Sequence, residues 1–350
     1  MKLLKKVCVI VAILSTSCST APKDRKTYFV LSNGARLPVY ENGPDTDKII
    51  LFTHGGPGAS GVVNYHMPFF QELARHYKVI FWDQRGSGGS RGHISKDSIN
   101  LHQFVDDMYA VYQSVETRYP KKKIYVMGHS FGGLVGGAFL SKFNHKVPAS
   151  IFVAPAFNIG QVTKTMSPVM IEWIESYLAR THLPEKDRYY WDSMLSYYKK
   201  NPIIGVDSFN IHLSNTSKVD EVNGNSQMCD YVKYGVAKYF IPDNVLDSLD
   251  FFSESLLILH SLGANGEANR NLSTDKEFGL DKVSSPMLLF TGGLDFVVPQ
   301  ATSIDGFNHL NNGVSNPNSI HILFDDASHE PFFRFKNQML QVVVEFVDNN

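Results

Sequence analysis

One serine in this chain sits where its hydroxyl could act as a nucleophile. Gly128-His129-Ser130-Phe131-Gly132 follows a short apolar run, Ile124 to Met127, and leads into a helical pattern from Phe131 to Phe143. A G-x-S-x-G segment between strand and helix makes a tight turn that strains the serine and lifts its Oγ above the sheet. A hydroxyl needs a base to take its proton, and a neutral imidazole needs an acid to fix its tautomer. In this arrangement the acid follows the nucleophile along the chain and the histidine comes last. Asp295, in Gly292-Gly293-Leu294-Asp295 just past the strand pattern Met287 to Thr291, fits the acid. Asp305 falls in the following helical run, and Asp325 and Asp326 already lie on the histidine's loop. His329, after the last strand pattern and before the last helix, fits the base; His309 sits in a helical run and His321 inside a strand. The chemistry expected of such a trio is acyl transfer through a covalent acyl-enzyme.

Acyl transfer also needs two donors for the oxyanion. The N–H of Phe131, directly after the nucleophile, is one. The other belongs to the loop after the strand pattern Ile49 to Thr53, which reads His54-Gly55-Gly56-Pro57-Gly58. There the N–H of Gly56 is the first choice and that of Gly55 the second. His54 is read as a brace for this loop. Gly86-Ser87-Gly88-Gly89 follows a strand pattern without a Walker lysine and is read as a bend beside the site. The 13 histidines show no metal-ligand spacing, and no dinucleotide fingerprint occurs, so neither metal nor cofactor is expected. Cys229 lies in no strand-to-helix turn and is read as structural.

The elements that must position these residues are legible as an alternation. Strand patterns at Ile49 to Thr53, Val79 to Trp82, Lys123 to Met127 and Ala149 to Val153 are separated by amphipathic stretches. One of these, Leu101 to Arg118, carries Phe104, Met108, Val111, Tyr112 and Val115 at helical spacing before Pro120. Such alternation predicts a mostly parallel sheet with helices on both faces. The rhythm stops from about Phe157 to Lys282, where aromatic-rich helical patterns and polar loops such as Val219 to Asn225 take over. It resumes with Pro286 to Thr291, Ser319 to Phe324 and a last helix from Pro331 to Val347. Residues 157–282 therefore read as a helical cap inserted between two parts of one core, 19–156 and 283–350.

The N-terminus is a different kind of segment. Lys2, Lys5 and Lys6 precede the apolar run Val7 to Leu14, and Ser15, Thr16, Ser17 and Cys18 follow. This is the layout of an export signal, too short to span a bilayer. Its end resembles a bacterial lipobox, with Ser15 where leucine is usual, so residues 1–18 are expected to be a signal ending at a lipidated Cys18. Simple cleavage with secretion, or an uncleaved anchor, are the alternatives. A bacterial envelope protein, lipid-anchored or else periplasmic or secreted, is the expectation. With 33 basic and 34 acidic residues the chain lacks the charge of a nucleic-acid binder, and Lys121 to Lys123 read as a solvated turn. Oligomeric state is not encoded in any pattern found.

Three blocks then coincide in order: His54-Gly55-Gly56-Pro57-Gly58, Trp82-Asp83-Gln84-Arg85-Gly86-Ser87-Gly88, and Gly128-His129-Ser130-Phe131-Gly132-Gly133. Together they resemble the α/β-hydrolases of the prolyl iminopeptidase type, over about Tyr28 to Pro155 and Pro286 to Val347. The resemblance implies the α/β-hydrolase fold, with Ser130 as nucleophile, Asp295 as acid and His329 as base. It also implies removal of N-terminal residues, proline favoured, from short peptides. Those enzymes usually carry Gly-Gly-Ser-Trp-Gly at the nucleophile, where this chain has Gly-His-Ser-Phe-Gly. They hold the substrate amine with cap glutamates, for which Glu172 and Glu175, in Ile171-Glu172-Trp173-Ile174-Glu175, are the nearest counterparts. An esterase or amidase for small acyl compounds is the rival enzyme, and an inactive binding protein on the same scaffold is the rival of another class.

Overall fold

A hairpin that the strand patterns above do not include opens the sheet. In the computed structural model, which describes residues 26–92, 95–225, 251–314 and 316–350, β1 (Lys26–Ser32) pairs antiparallel with β2 (Ala35–Asn42). Asn33 and Gly34 join them with φ of 40° and 82°, the positive pair that a two-residue hairpin turn demands. The export segment, Cys18 and Cys229 lie outside the described residues.

The main chain then alternates as expected. β3 (Lys48–Thr53) leads through α1 (Gly61–His66) and α2 (Pro68–His76) to β4 (Lys78–Trp82). After the short β5 (Arg91–Gly92) come α3 (Leu101–Arg118), β6 (Lys123–His129), α4 (Phe131–Phe143) and β7 (Ser150–Val153). Four described helices follow before the sheet resumes: α5 (Ile159–Leu178), α6 (Glu185–Lys200), α7 (Val206–Asn223) and α8 (Phe251–Ala264). β8 (Met287–Gly292), α9 (Gln300–Asn308), β9 (Ile320–Phe324), α10 (Pro331–Arg334) and α11 (Lys336–Asn349) complete the chain. The sheet order is β1-β2-β4-β3-β6-β7-β8-β9, parallel from β4 to β9, with β5 paired to β2.

Both faces of the central strands β3, β4, β6, β7 and β8 are covered, which is why the middles of these strands are apolar and buried, whereas the edge strand β9 is partly exposed. Ile49, Leu51, Val126 and Leu289 pack with α3 and α4 on one face. Ile50, Phe52, Tyr125 and Phe290 pack with α2 and α11 on the other. The inserted helices have a core of their own, where Met166, Met170, Ile174, Trp191, Tyr198 and Val219 meet Phe296 and Val298 from the loop after β8.

Two expectations about elements are corrected. The polar stretch Val219 to Asn225 is not a loop: Val219 is fully buried in the cap core, and α7 runs to Asn223 before Gly224 ends it at φ 72°. The last helix is two, because Phe335 adopts φ −106° and ψ 20° between α10 and α11.

Candidate active site

Ser130 stands at the β6–α4 junction with φ 53° and ψ −120°, a backbone conformation that costs a non-glycine residue about 1–3 kcal/mol. The surroundings hold it there. Its N–H donates to the Val153 carbonyl, and its own carbonyl accepts from the Gly133 and Ala156 amides. The flanking glycines are required by contact. A Cβ on Gly132 would lie 2.2 Å from the Thr53 carbonyl oxygen, and one on Gly128 would lie 2.6 Å from the Gly132 oxygen. Phe131 opens α4, so its N–H is among the first-turn amides with no intrahelical acceptor.

Asp295 and His329 are brought together although 34 positions separate them. Asp295 Oδ2 accepts from His329 Nδ1 at 2.9 Å, and Oδ1 accepts the Val297 and Val298 amides at 3.0 and 2.8 Å. The Asp295 side chain is fully buried and that of His329 is 14% exposed, so the imidazole's Nε2 edge is the side open to chemistry. Burial works against the charged imidazole, but the Asp295 carboxylate and its hydrogen bond outweigh this and raise the His329 pKa. The other candidates are placed elsewhere. Asp305 accepts from Ser273, His309 turns to the Asp305 carbonyl, and His321 pairs with Thr291.

Ser130 is close to this pair through its neighbour. The rings of His129 and His329 are 4.8 Å apart, and His129 Nε2 lies 3.1 Å from the His329 carbonyl oxygen, to which it donates. Burial keeps the His129 ring neutral. Among the described residues no hydrogen bond joins Ser130 Oγ to His329; such bonds often tighten only when substrate is present.

The glycine loop and the block after β4 form the other wall. A Cβ on Gly55 would lie 2.9 Å from His129 Nδ1 and 3.1 Å from Ser130 Cβ, which fixes how near this loop comes to Ser130. No backbone acceptor among the described residues takes the Gly56 or Phe131 N–H. His54 is fully buried, and its Nδ1–H donates to the Gly55 carbonyl at 2.7 Å while Nε2 accepts from the Gln84 amide at 3.1 Å. It braces the loop and, depressed by burial, stays uncharged. Asp83 accepts from Ser60, Gly61, Tyr40 and Gly89, tying three segments to one carboxylate. Arg85 is sealed against Asp107 by a two-pronged bond of 2.6 and 2.7 Å.

A cavity of about 270 Å³ touches Ser130, Gly56 and Phe131 together. The cap lends it Val162, Met166, Ile204 and Phe209, and the loop after Asp295 lends Val297 and Val298. Its one carboxylate among the described lining residues, Glu267, is taken: Oε2 accepts from Arg270 at 2.6 Å and Oε1 from the Leu101 amide at 3.2 Å. Glu172 and Glu175 are not at this cavity. The face of α5 that carries Met166, Met170 and Ile174 turns inward, which leaves both glutamates exposed, and Glu175 pairs with Lys199 at 2.8 Å.

Several residues here were missed by pattern reading. Asp107 had a signal, a carboxylate three places after Phe104 on a buried helical stripe, which demands a buried cation. Glu330 and Asp220 had none that a single sequence shows. Burial lifts both carboxyls to about 7, with the Asp295 charge adding to the effect and His329 opposing it.

A sequence profile described as alpha/beta hydrolase fold matches residues 48–335. The chain belongs to the alpha/beta-hydrolase fold family. Among curated relatives, the probable aminopeptidase YbaC of Bacillus subtilis (strain 168) is 38% identical over 96 residues, 27% of this chain and 30% of that protein. The match thus spans less than a third of that relative. A proline iminopeptidase of Thermoplasma volcanium is 24% identical over 322 residues, covering 87% of this chain and 91% of its own. Of solved structures, a putative aryl esterase from Burkholderia cenocepacia superposes with a TM-score of 0.54 at 20% identity, over 92% of this chain and 100% of that one. At that identity the likeness concerns the fold alone. The prolyl iminopeptidase-type resemblance and the alpha/beta-hydrolase architecture stand together.

Proposed function

We propose that this hydrolase works through an acyl-enzyme on Ser130. Ser130 Oγ attacks the substrate carbonyl as His329 Nε2 takes its proton, and Asp295 holds the imidazolium by its Nδ1–H. The Gly56 and Phe131 amides receive the oxyanion; Gly56 is preferred over Gly55 because it lines the cavity. His329 then protonates the leaving group, and water, activated by the same imidazole, releases the acid. The observation that carries this reading is the 2.9 Å Asp295–His329 bond beside an elbow serine that shares a cavity with both amides.

For substrate, the cavity favours an ester or amide whose acyl part is compact and uncharged. Its walls are mostly apolar, and the Glu267 carboxylate is already bound by Arg270. Release of an N-terminal proline is the second reading, favoured by the proline iminopeptidase and aminopeptidase relatives. A panel of free and N-blocked prolyl chromogenic amides beside short-chain esters separates the two. Ester turnover with no preference for a free amine supports the first, and cleavage that N-blocking abolishes supports the second. A fluorophosphonate probe that fails to label the folded wild type at Ser130 would overturn the hydrolase mechanism in favour of a binding role. We also propose that Cys18 is lipidated and holds the enzyme at the bacterial envelope; metabolic labelling with palmitate that survives Cys18→Ser would refute this.

A further inference from the structure

The cap reaches the acid loop through an unbroken line of hydrogen bonds. Tyr190 OH on α6 donates to Asn215 Oδ1 on α7. Asn215 Nδ2 donates to Tyr198 OH at 3.1 Å, and Tyr198 OH donates to His212 Nδ1 at 3.0 Å. His212 Nε2–H then donates to the Phe296 carbonyl at 2.7 Å. Phe296 is the residue after Asp295. Each link has one direction only: because the Phe296 carbonyl can only accept, the ring's proton sits on Nε2, the nitrogen facing the loop, and Nδ1 of the neutral ring accepts from Tyr198. His212 is fully buried, and burial pushes its pKa down to about 4, so the tautomer holds at neutral pH.

The loop is held differently on its two sides. Before Asp295, the Gly293 and Leu294 amides donate to Phe324 and Ala327 on the histidine's side of the core. After Asp295, the Val297 and Val298 amides turn inward to the Asp295 carboxylate itself, and the Phe296 carbonyl is fastened by the cap. Whatever position α7 takes is therefore passed to the backbone that aims Asp295 at His329.

We infer that this line is a positioning device, in which His212 and Tyr198 act through the Phe296 carbonyl to set how firmly Asp295 holds the His329 imidazole. The inference rests on the reading of Asp295 and His329 as acid and base. It makes the cap more than a wall for substrate: a cap displaced by a bound molecule would change the base itself. The groups that face the His329 ring are Asp295, Glu330, Asp220 from α7 and the His129 ring. Of these only Asp295 is bonded to it directly.

The test follows the His329 imidazole by NMR across a pH titration, with its signal identified by its absence in His329→Gln. The protein is compared with Tyr198→Phe, His212→Leu and His212→Gln, and kcat and KM are measured on the same samples. Loosening Asp295 removes the effect that raises the His329 pKa, so Tyr198→Phe and His212→Leu should move its midpoint to lower pH. The kcat should fall about tenfold with KM within about twofold, as for a small misplacement of a catalytic group. His212→Gln, which can still donate to Phe296 and accept from Tyr198, should restore both. An unmoved His329 midpoint in folded Tyr198→Phe overturns the inference, as does an equal shift in His212→Gln. Should His212→Leu fail to fold, Tyr198→Phe, which removes one hydroxyl, decides alone. The midpoint needs no turnover, so absent fluorophosphonate labelling would sink the hydrolase mechanism while this coupling was still being judged.

Discussion

Two buried carboxylates, Asp107 and Asp295, each hold a basic side chain, and they do opposite things. Asp107 and Arg85 meet at 2.6 Å with both side chains wholly shielded, whereas Asp295 and His329 meet at 2.9 Å with the imidazole 14% exposed. The guanidinium keeps its charge at any working pH and spends two donors on one carboxylate, so the first pair is closed. The imidazole spends one nitrogen on Asp295 and, in the mechanism proposed, keeps the other for a proton in transit. Burial with a permanent charge makes scaffold; burial of the acid alone, beside a titratable partner, makes a site for proton transfer. Even so, burial works on Asp107 in the expected direction and lifts its carboxyl despite Arg85.

The contrast can be broken most sharply at its chemical end. Ser130→Ala should reduce turnover by on the order of 10⁶-fold while the melting curve is unchanged, since loss of the nucleophile removes the whole covalent route. Any turnover near wild type in a purified sample would end the acyl-enzyme reading. Asp295→Asn should lower kcat about 10⁴-fold, because the amide favours the wrong imidazole tautomer.

The scaffold pair should respond in the other currency. Asp107→Asn leaves Arg85 buried without its counter-charge and should cost about 3–5 kcal/mol in denaturant unfolding. The folded fraction should still react with a fluorophosphonate at the wild-type rate. If labelling collapses while stability holds, the two pairs have been assigned the wrong way round.

A smaller effect concerns pH. The Glu330 carboxyl is lifted from 4.5 to about 7, so between those values the folded chain keeps a proton that the unfolded chain has released. That contribution to stability is complete below the unfolded pKa and is lost as pH rises through the folded one. Glu330→Gln should therefore flatten the fall in Tm across this window, and an unchanged slope would show that the burial of Glu330 does not govern it. Least of all should change in Glu175→Gln: its Lys199 pair is half-exposed, worth about 0–1 kcal/mol, and KM for aminoacyl amides should stay within about twofold. A large rise in KM there would return Glu175 to substrate binding.

Legibility followed how local the physical cause was. Ser130 could be read because a strand, a glycine-flanked turn and a helix are all encoded within a few residues of it. Asp295 and His329 could be picked because each closes a strand that apolar runs reveal, and chain order narrows the choice. The β1–β2 hairpin escaped the strand patterns even though Asn33-Gly34 is a recognisable turn. Glu172 and Glu175 failed for a plain reason: spacing places residues on a helix but does not say which face of α5 meets the cavity.

By itself, then, the sequence determined the alternation that builds the parallel sheet, the strained turn at Ser130 and the chain order of Ser130, Asp295 and His329. Each of these depends on contacts or conformations close along the chain. Only the tertiary structure decided that Arg85 is consumed by Asp107, that Glu267 accepts from the distant Leu101 amide, and that His212 fastens the loop of Asp295. A buried polar group must find a partner, but the partner is chosen by packing between distant segments, and no local pattern carries that information.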